Sequence, residues 1–315
     1  MTAPFSVLVT EHLAADAEAW LAARGSVTSC APDDPAFASH LARADALVVR
    51  TYTIVDEAML AGAPRLRVIG RAGVGLDNID VAACRLRGVE VVYRPDANTQ
   101  AVVEYVLWLL GDALRPRAIL TSAIDVETWN QLRADTVGAR QVSELTLGIL
   151  GLGRIGKRVA HVVSAIGMRV IYHDVLEVEP ARRFGAMPVE VGQLFSESDV
   201  LSIHVDGRPS NRRFVGRELL VRMKANALLI NTSRGFVVDN DALAEALRQR
   251  PEAMALLDVH DPEPFGEDYP LLGLPNARLY LHLASRTEWA LREMSQVVKD
   301  VWAVLEGREA EFPAP

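Results

Sequence analysis

The sequence predicts an α/β protein made of two doubly wound parallel sheets, and three observations predict it. Apolar segments of strand character alternate with helical segments through the N-terminal part of the chain, the pattern of parallel strands joined by covering helices. A strand, a helix and a second strand between Leu145 and Asp174 enclose glycines in G-x-G-x-x-G spacing. Three later strands each end in a cluster of polar residues, where open α/β sheets build their sites.

Taken in order, the N-terminal strands are expected at Ser6 to Thr10, Ser26 to Ser29, Ala46 to Arg50, Leu66 to Gly70 and Val89 to Val92, with helices such as Ala14 to Arg24, Asp56 to Ala61 and Asn78 to Arg87 between them. Asn98 to Leu114 reads as one long helix, with Thr99 near its start and Val102, Val103, Val106, Leu107 and Leu110 on an apolar face. After the glycine motif, strands are expected at Val200 to His204, Ala227 to Thr232, Ala253 to Val259 and Arg278 to Leu281. Asp241 to Arg250 is a helix capped by Asp239 or Asn240 and closed by Pro251. A last long helix, Glu288 to Glu306, is expected to return to the first sheet, and Glu309 to Pro315 to form a loose tail. The expected domains are therefore residues 1–97, residues 98–286, and residues 287–315 returning to the first.

The glycine segment carries the first chemistry. The apolar run Leu145 to Leu150 makes a buried strand, Gly151, Gly153 and Gly156 follow, and Val159, Val162, Val163 and Ile166 recur at helical spacing before Gly167. The next strand, Met168 to His173, ends at Asp174, the distance at which a dinucleotide site places its acid. Gly151 allows the tight turn, Gly153 lets backbone amides approach a pyrophosphate, and Gly156 lets the helix pack closely, so the anion meets a helix N-terminus. Asp174 would accept bonds from the adenosine ribose and repel a 2'-phosphate, which favours NAD over NADP. Arg182 and Arg183 leave the second cofactor open. The architecture expected is a Rossmann-type nucleotide domain inserted into a discontinuous, flavodoxin-like substrate domain.

Composition narrows the remaining classes. The chain has 315 residues, 50% of them apolar, and a formal charge of -8, which leaves no electrostatic footprint for nucleic acid. Its two cysteines, Cys30 and Cys84, match no metal or disulfide spacing and read as packed small hydrophobes in a reducing cytoplasm. No apolar run is long enough to cross a membrane, and the first residues have no basic leader, so neither secretion nor membrane attachment is expected.

The polar strand ends are Asn231-Thr232-Ser233-Arg234-Gly235, Leu257-Asp258-Val259-His260-Asp261-Pro262-Glu263-Pro264 and Leu281-His282-Leu283-Ala284-Ser285. An Arg, a Glu and a His from three strand ends make a 2-oxo acid site: Arg clamps a carboxylate, His delivers a proton near neutral pH, and Glu orients the His. Each alone has a plainer reading, as a surface Arg, a loop Glu beside prolines or a satisfied core His.

At this point the sequence resembles the D-isomer-specific 2-hydroxy acid dehydrogenases over nearly its whole length, in GRAGVGLDNID (Gly70 to Asp80), NTQAVVE (Asn98 to Glu104), GLGRIG, NTSRG, LDVHDPEP and His282. The resemblance implies that His282 is the acid/base, Glu263 its orienting partner, and Arg234 the group that binds the substrate carboxylate and carbonyl oxygen. It implies that backbone amides around Val74 and Gly75 hold the carboxylate and that Asp258 holds the nicotinamide carboxamide. Arg154 and Ile155 would line the pyrophosphate, with Thr232, Ser233 and Ala284 also on the cofactor. Leu281 stands where such proteins usually have Pro, His260 where an aromatic is common, and Val205-Asp206-Gly207-Arg208-Pro209 replaces a more usual run; His260 reads as a solvated loop residue, with a second titrating group as the alternative.

For the substrate, Arg50 and Arg71 fall at predicted strand ends of the first domain, facing the cleft, and match basic residues that bind phosphate in the 3-phosphoglycerate dehydrogenase branch. The plainer reading pairs them with nearby acids. The leading expectation is an NAD-dependent dehydrogenase acting on 3-phosphoglycerate, as a homodimer formed around the Asn98 helix and Trp129. A glyoxylate/hydroxypyruvate reductase is the alternative within the enzymes, and an NAD(H)-sensing corepressor-like binding protein the alternative of another class. With little sequence after the last helix, serine feedback of the kind seen in longer relatives is not expected.

Overall fold

Five short strands open the chain, β1 (Ser6–Val9), β2 (Ser26–Ser29), β3 (Ala46–Val49), β4 (Val68–Arg71) and β5 (Glu90–Tyr93), joined by α1 (Ala15–Ala22), α2 (Phe37–Leu41), α3 (Glu57–Ala61) and α4 (Val81–Leu86) in a computed structural model that describes residues 5–138 and 140–315. The strands pair in parallel in the order β2-β1-β3-β4-β5, the flavodoxin-like arrangement. All four residues of β3 and of β4 are buried, as strands covered on both faces must be. Asp56 and Asp80 cap α3 and α4, accepting from the amides of Met59 and Ala83 at 2.9 and 2.8 Å.

The helix α5 (Thr99–Leu114) leads into a second run: α6 (Val126–Asp135), β6 (Thr146–Leu150), α7 (Arg154–Ala165), β7 (Arg169–His173), β8 (Met187–Pro188), α8 (Val191–Glu197), β9 (Val200–Ile203), α9 (Arg217–Leu220), β10 (Leu228–Asn231), α10 (Asn240–Gln249), β11 (Met254–Leu257) and β12 (Ala277–Leu279). These strands form a seven-stranded parallel sheet, β12-β11-β10-β9-β6-β7-β8. Counted within the run this is the Rossmann order, with the reversal beside β6, whose C-terminal end carries the glycine turn. Asp239 is the cap of α10, accepting from Ala242 N at 3.1 Å.

The chain closes with α11 (Glu288–Ser295) and α12 (Val297–Leu305). It divides into two units, one of residues up to Ala101 together with Ser285–Pro315, the other Val102–Ala284. The last helix packs on the first sheet: a Cβ at Gly70 in β4 would lie 2.4 Å from Val301 Cγ2, so only glycine admits α12 at that distance.

Two expectations fail here. The single helix expected over Glu288 to Glu306 is two, broken at Gln296, because the buried Ser295 hydroxyl donates back to Leu291 O at 2.7 Å and accepts from Ala14 N at 2.9 Å. Back-bonding of this kind bends helices. The tail is not loose: Tyr93 N donates to Phe312 O, Ala314 N donates to Val91 O, and Arg85 donates to the carbonyls of Ala314 and Pro315. The segment pairs alongside β5 through an antiparallel bridge between Val92 and Pro313, which covers an otherwise open sheet edge.

Candidate active site

The C-terminal ends of β10, β11 and β12 lie side by side in one parallel sheet, so the segments after them emerge at the same edge. After β10, Asn231 is buried and its side chain staples the turn: Oδ1 accepts from Ser233 N and Oγ at 3.0 and 2.8 Å, and Nδ2 donates to Arg234 O at 2.9 Å. Arg234 is half-buried. Gly235 then packs on the neighbouring segment so tightly that a Cβ there would lie 1.9 Å from the His260 carbonyl carbon. That contact sets the Arg234 turn against the loop that carries Glu263.

His282 and Glu263 meet directly, Nδ1 to Oε2 at 2.8 Å, and Glu263 Oε1 accepts from His260 N at 2.7 Å. Burial pushes the Glu263 carboxyl upward, but the His282 bond and charge and the His260 amide outweigh it and hold it below the usual carboxylate range. With Nδ1 on the carboxylate, His282 is left with Nε2 for a further partner. His282 has φ of 55°, left-handed backbone that a histidine rarely adopts. Asp258 holds it there. Its carbonyl accepts from His282 N, and its carboxylate accepts from Leu283 N and Ala284 N, each at 2.8 Å. Asp258 is fully buried, and the Tyr105 hydroxyl from α5 also bonds to it; burial, then Asp258, raise that phenol.

On the other side of the reversal, Gly151 has φ of 93°, and a Cβ would lie 2.8 Å from His204 O. At Gly156 a Cβ would lie 2.2 Å from Gly151 O, whereas at Gly153 it would meet nothing within 4 Å. The first and third glycines are thus dictated by packing, and the second leaves open space at the start of α7, where Arg154 is exposed and Ile155 half-buried. Asp174 accepts from Leu152 N at 2.6 Å and Leu176 N at 2.8 Å, tying the end of β7 to the glycine turn. Thr232 is buried with no hydrogen-bond partner for Oγ1 among the described residues, a polar atom left for something the chain does not supply. Open space at a helix N-terminus and an orphaned hydroxyl at the end of β10, across the reversal in the same sheet, both fit a dinucleotide.

In the first unit, Glu11 accepts from four successive amides, Arg50, Thr51, Tyr52 and Thr53, and fixes the loop after β3. Burial raises the Glu11 carboxyl, but these bonds together hold it low. Arg50 donates to His12 O at 3.0 Å, and its Nε is buried without a hydrogen-bond partner among the described residues. Burial lowers its guanidinium, the Glu11 carboxylate pulls it back up, and Arg286 adds a smaller push down. Arg71 is 7% exposed and folds back over its own loop, Nη1 donating to Ala72 O at 2.9 Å beneath Gly73. Val74 and Gly75 follow in the same loop, half-buried.

One expectation about this region is overturned. His260 is no solvated loop residue; it is 8% exposed, with Nε2 2.7 Å from Tyr280 O. Sequence reasoning gave Asn231 no role of its own and passed over Tyr105, Glu11 and Arg286. Only Asn231, an Asx residue before a turn, had a local signal.

The NAD-binding-domain model of the D-isomer specific 2-hydroxyacid dehydrogenases matches residues 107–284. The chain belongs to that family. D-3-phosphoglycerate dehydrogenase of Methanocaldococcus jannaschii is 37% identical over 271 residues, 85% of this chain and 51% of that protein. Glyoxylate reductase of Aeropyrum pernix is 36% identical over 277 residues, 86% of this chain and 82% of that protein. The chain spans about half the length of the phosphoglycerate dehydrogenase relatives it matches first. Among solved structures, the TT0316 protein of Thermus thermophilus superposes with a TM-score of 0.83 at 34% identity, over 99% of this chain and 100% of that one. NAD is the cofactor the family assigns to Val102–Ala284, the unit that holds the glycine turn, Asp174 and the His282–Glu263 pair.

Proposed function

We propose that the protein is an NAD-dependent dehydrogenase that interconverts a small D-2-hydroxy acid and its 2-oxo acid by hydride transfer. The observation that carries the reading is the 2.8 Å bond between His282 Nδ1 and Glu263 Oε2. It leaves Nε2 to protonate a carbonyl oxygen in reduction and to take a hydroxyl proton in oxidation. Glu263, held by His260 N on its second oxygen, orients the ring and stabilises its charged form. Arg234 would clamp the substrate carboxylate and carbonyl oxygen, with the Val74 and Gly75 amides adding donors. NAD, when bound, gives or accepts the hydride. Gly151, Gly153, Arg154, Ile155 and Gly156 would hold its pyrophosphate, Asp174 the ribose, and Thr232, Ser233, Asp258 and Ala284 the nicotinamide half.

The substrate pair we propose is 3-phosphoglycerate and 3-phosphohydroxypyruvate, a step toward serine in the cytoplasm. Arg50, with an unused Nε and Arg286 nearby, supports a second anionic group on the substrate. So does the 37% identity to a phosphoglycerate dehydrogenase. Arg71, 7% exposed and curled beneath Gly73, would add its charge to that second anionic group. The runner-up, glyoxylate or hydroxypyruvate reduction, is favoured by the Aeropyrum relative, which this chain matches over 82% of its length. A panel of phosphohydroxypyruvate, hydroxypyruvate, glyoxylate and pyruvate with NADH separates them. Phosphohydroxypyruvate should lead by roughly 10²-fold in kcat/KM, about 3 kcal/mol, and Arg71→Ala should remove most of that lead. A preference for glyoxylate, or an equal loss on both acids in Arg71→Ala, rejects the phosphate site.

We also propose a homodimer through the nucleotide-binding unit. Trp108, Ile119, Val126 and Trp129 are exposed along α5, α6 and the segment between them, apolar side chains that a partner subunit would cover. A monomer mass by light scattering at micromolar concentration would refute it.

A further inference from the structure

His260 lies three residues before Glu263, and its ring reaches the strand end that leads to His282. Its Nε2 lies 2.7 Å from Tyr280 O, two residues before His282. A carbonyl only accepts, so Nε2 carries the proton. Nδ1 then faces the Tyr269 hydroxyl at 3.3 Å as an acceptor. The ring is set edge-on to Phe265 and Tyr269, with centroids 4.8 and 5.6 Å away, and the backbone on its far side is closed by Gly235. Its own amide donates to Glu263 Oε1.

We propose that His260 is a positioning residue for the reaction: its imidazole fixes the strand end that delivers His282, while its amide fixes Glu263. The inference rests on the function proposed above. A purely packing residue would not need the nitrogen, since a phenyl ring would fill the same space between Phe265 and Tyr269. What the imidazole adds is a directed bond to Tyr280 O, at the point where the chain leaves β12 for the strained φ of His282. Two backbone positions that no local sequence pattern relates are thereby held in register by one side chain.

The test begins on the wild-type full chain without cofactor, labelled with 15N-histidine. His260 should be the Nε2–H tautomer, and the His282 Nδ1–H facing Glu263 should give a low-field proton signal that His282→Asn removes. In His260→Phe that signal should shift or broaden and kcat fall about tenfold, while NADH affinity stays within about twofold, because a small displacement of an acid/base group costs turnover before it costs binding. His260→Gln, which can again donate to Tyr280 O, should recover most of the turnover and the signal. An Nδ1–H tautomer at His260, an unchanged signal in His260→Phe, or equal losses in the Phe and Gln variants would overturn the proposal. If His260→Phe does not fold, the wild-type tautomer and the Gln variant decide. Absence of wild-type turnover on every 2-oxo acid would reject the proposed function instead, with the tautomer and the low-field signal still deciding the positioning role.

Discussion

Asp258→Asn should both loosen the fold and silence the site, because one carboxylate holds the turn on which His282 depends. The wild-type side chain is fully buried and accepts from Leu283 N and Ala284 N, each at 2.8 Å. Hydrogen bonds to a charged acceptor contribute about 1.5–3 kcal/mol each, so the pair stabilises the turn by roughly 3–6 kcal/mol. Against this stands the left-handed φ of 55° at His282, which costs about 1–3 kcal/mol for a non-glycine residue. The carboxylate wins with margin. An asparagine keeps one acceptor and turns an NH2 toward the other amide, which removes one bond and leaves a donor facing a donor. The remaining bond then roughly balances the strain, and the turn is no longer held. A net loss of about 3 kcal/mol corresponds to a fall in Tm of roughly 6–12 °C in a unit of this size. Turnover should fall at least about 10²-fold as His282 leaves Glu263. Calorimetry and steady-state kinetics on the same preparation check both. If Asp258→Asn melts within a degree of wild type and keeps its kcat, the Leu283 and Ala284 bonds do not hold the site.

Other perturbations test separate parts. NAD should be preferred over NADP by roughly tenfold or more in kcat/KM, about 1.4 kcal/mol, since the Asp174 carboxylate opposes a 2'-phosphate; equal use of both would show that Arg182, Arg183 or another cation overrides it. His282→Ala should lose about 10²-fold or more in kcat with NADH affinity little changed, and near-normal turnover would reject the acid/base assignment. Glu263→Gln should mainly move the pH profile, because the native carboxylate stays ionised to below its ordinary range. His204, hydrogen-bonded to Ser202 Oγ at 2.8 Å, has its imidazole pushed down by burial from 6.5 to about 4. The unfolded chain therefore binds this proton first. The neutral ring's contribution is complete above about pH 6.5 and is lost as pH falls toward 4, by about 3 kcal/mol at most. Urea titrations across that window should show the loss, and a His204→Asn variant with the same pH slope would rule the residue out.

Much of this architecture is written locally. Strand and helix periods, the Asp caps at 56, 80 and 239, and the glycines before α7 act within a few residues, so alternating patterns lead to two parallel sheets without knowledge of the rest. The polar strand ends could be read for the same reason, because parallel strands bring consecutive C-termini to one edge. Other features had no local trace. His260 reads as a loop histidine beside prolines, and its role depends on Tyr280 and Glu263 meeting it from different segments. Glu11 looks like a surface acid until four amides from residues 50–53 converge on it. Ser295 breaks the last helix because Ala14, from the far end of the chain, requires its hydroxyl. The tail acquires structure because the edge of β5 offers hydrogen bonds that Phe312 and Ala314 can complete. Periodicity is a property of neighbours along the chain and is legible there, whereas the satisfaction of buried polar groups depends on which distant segments packing brings together, and only the tertiary structure decides that.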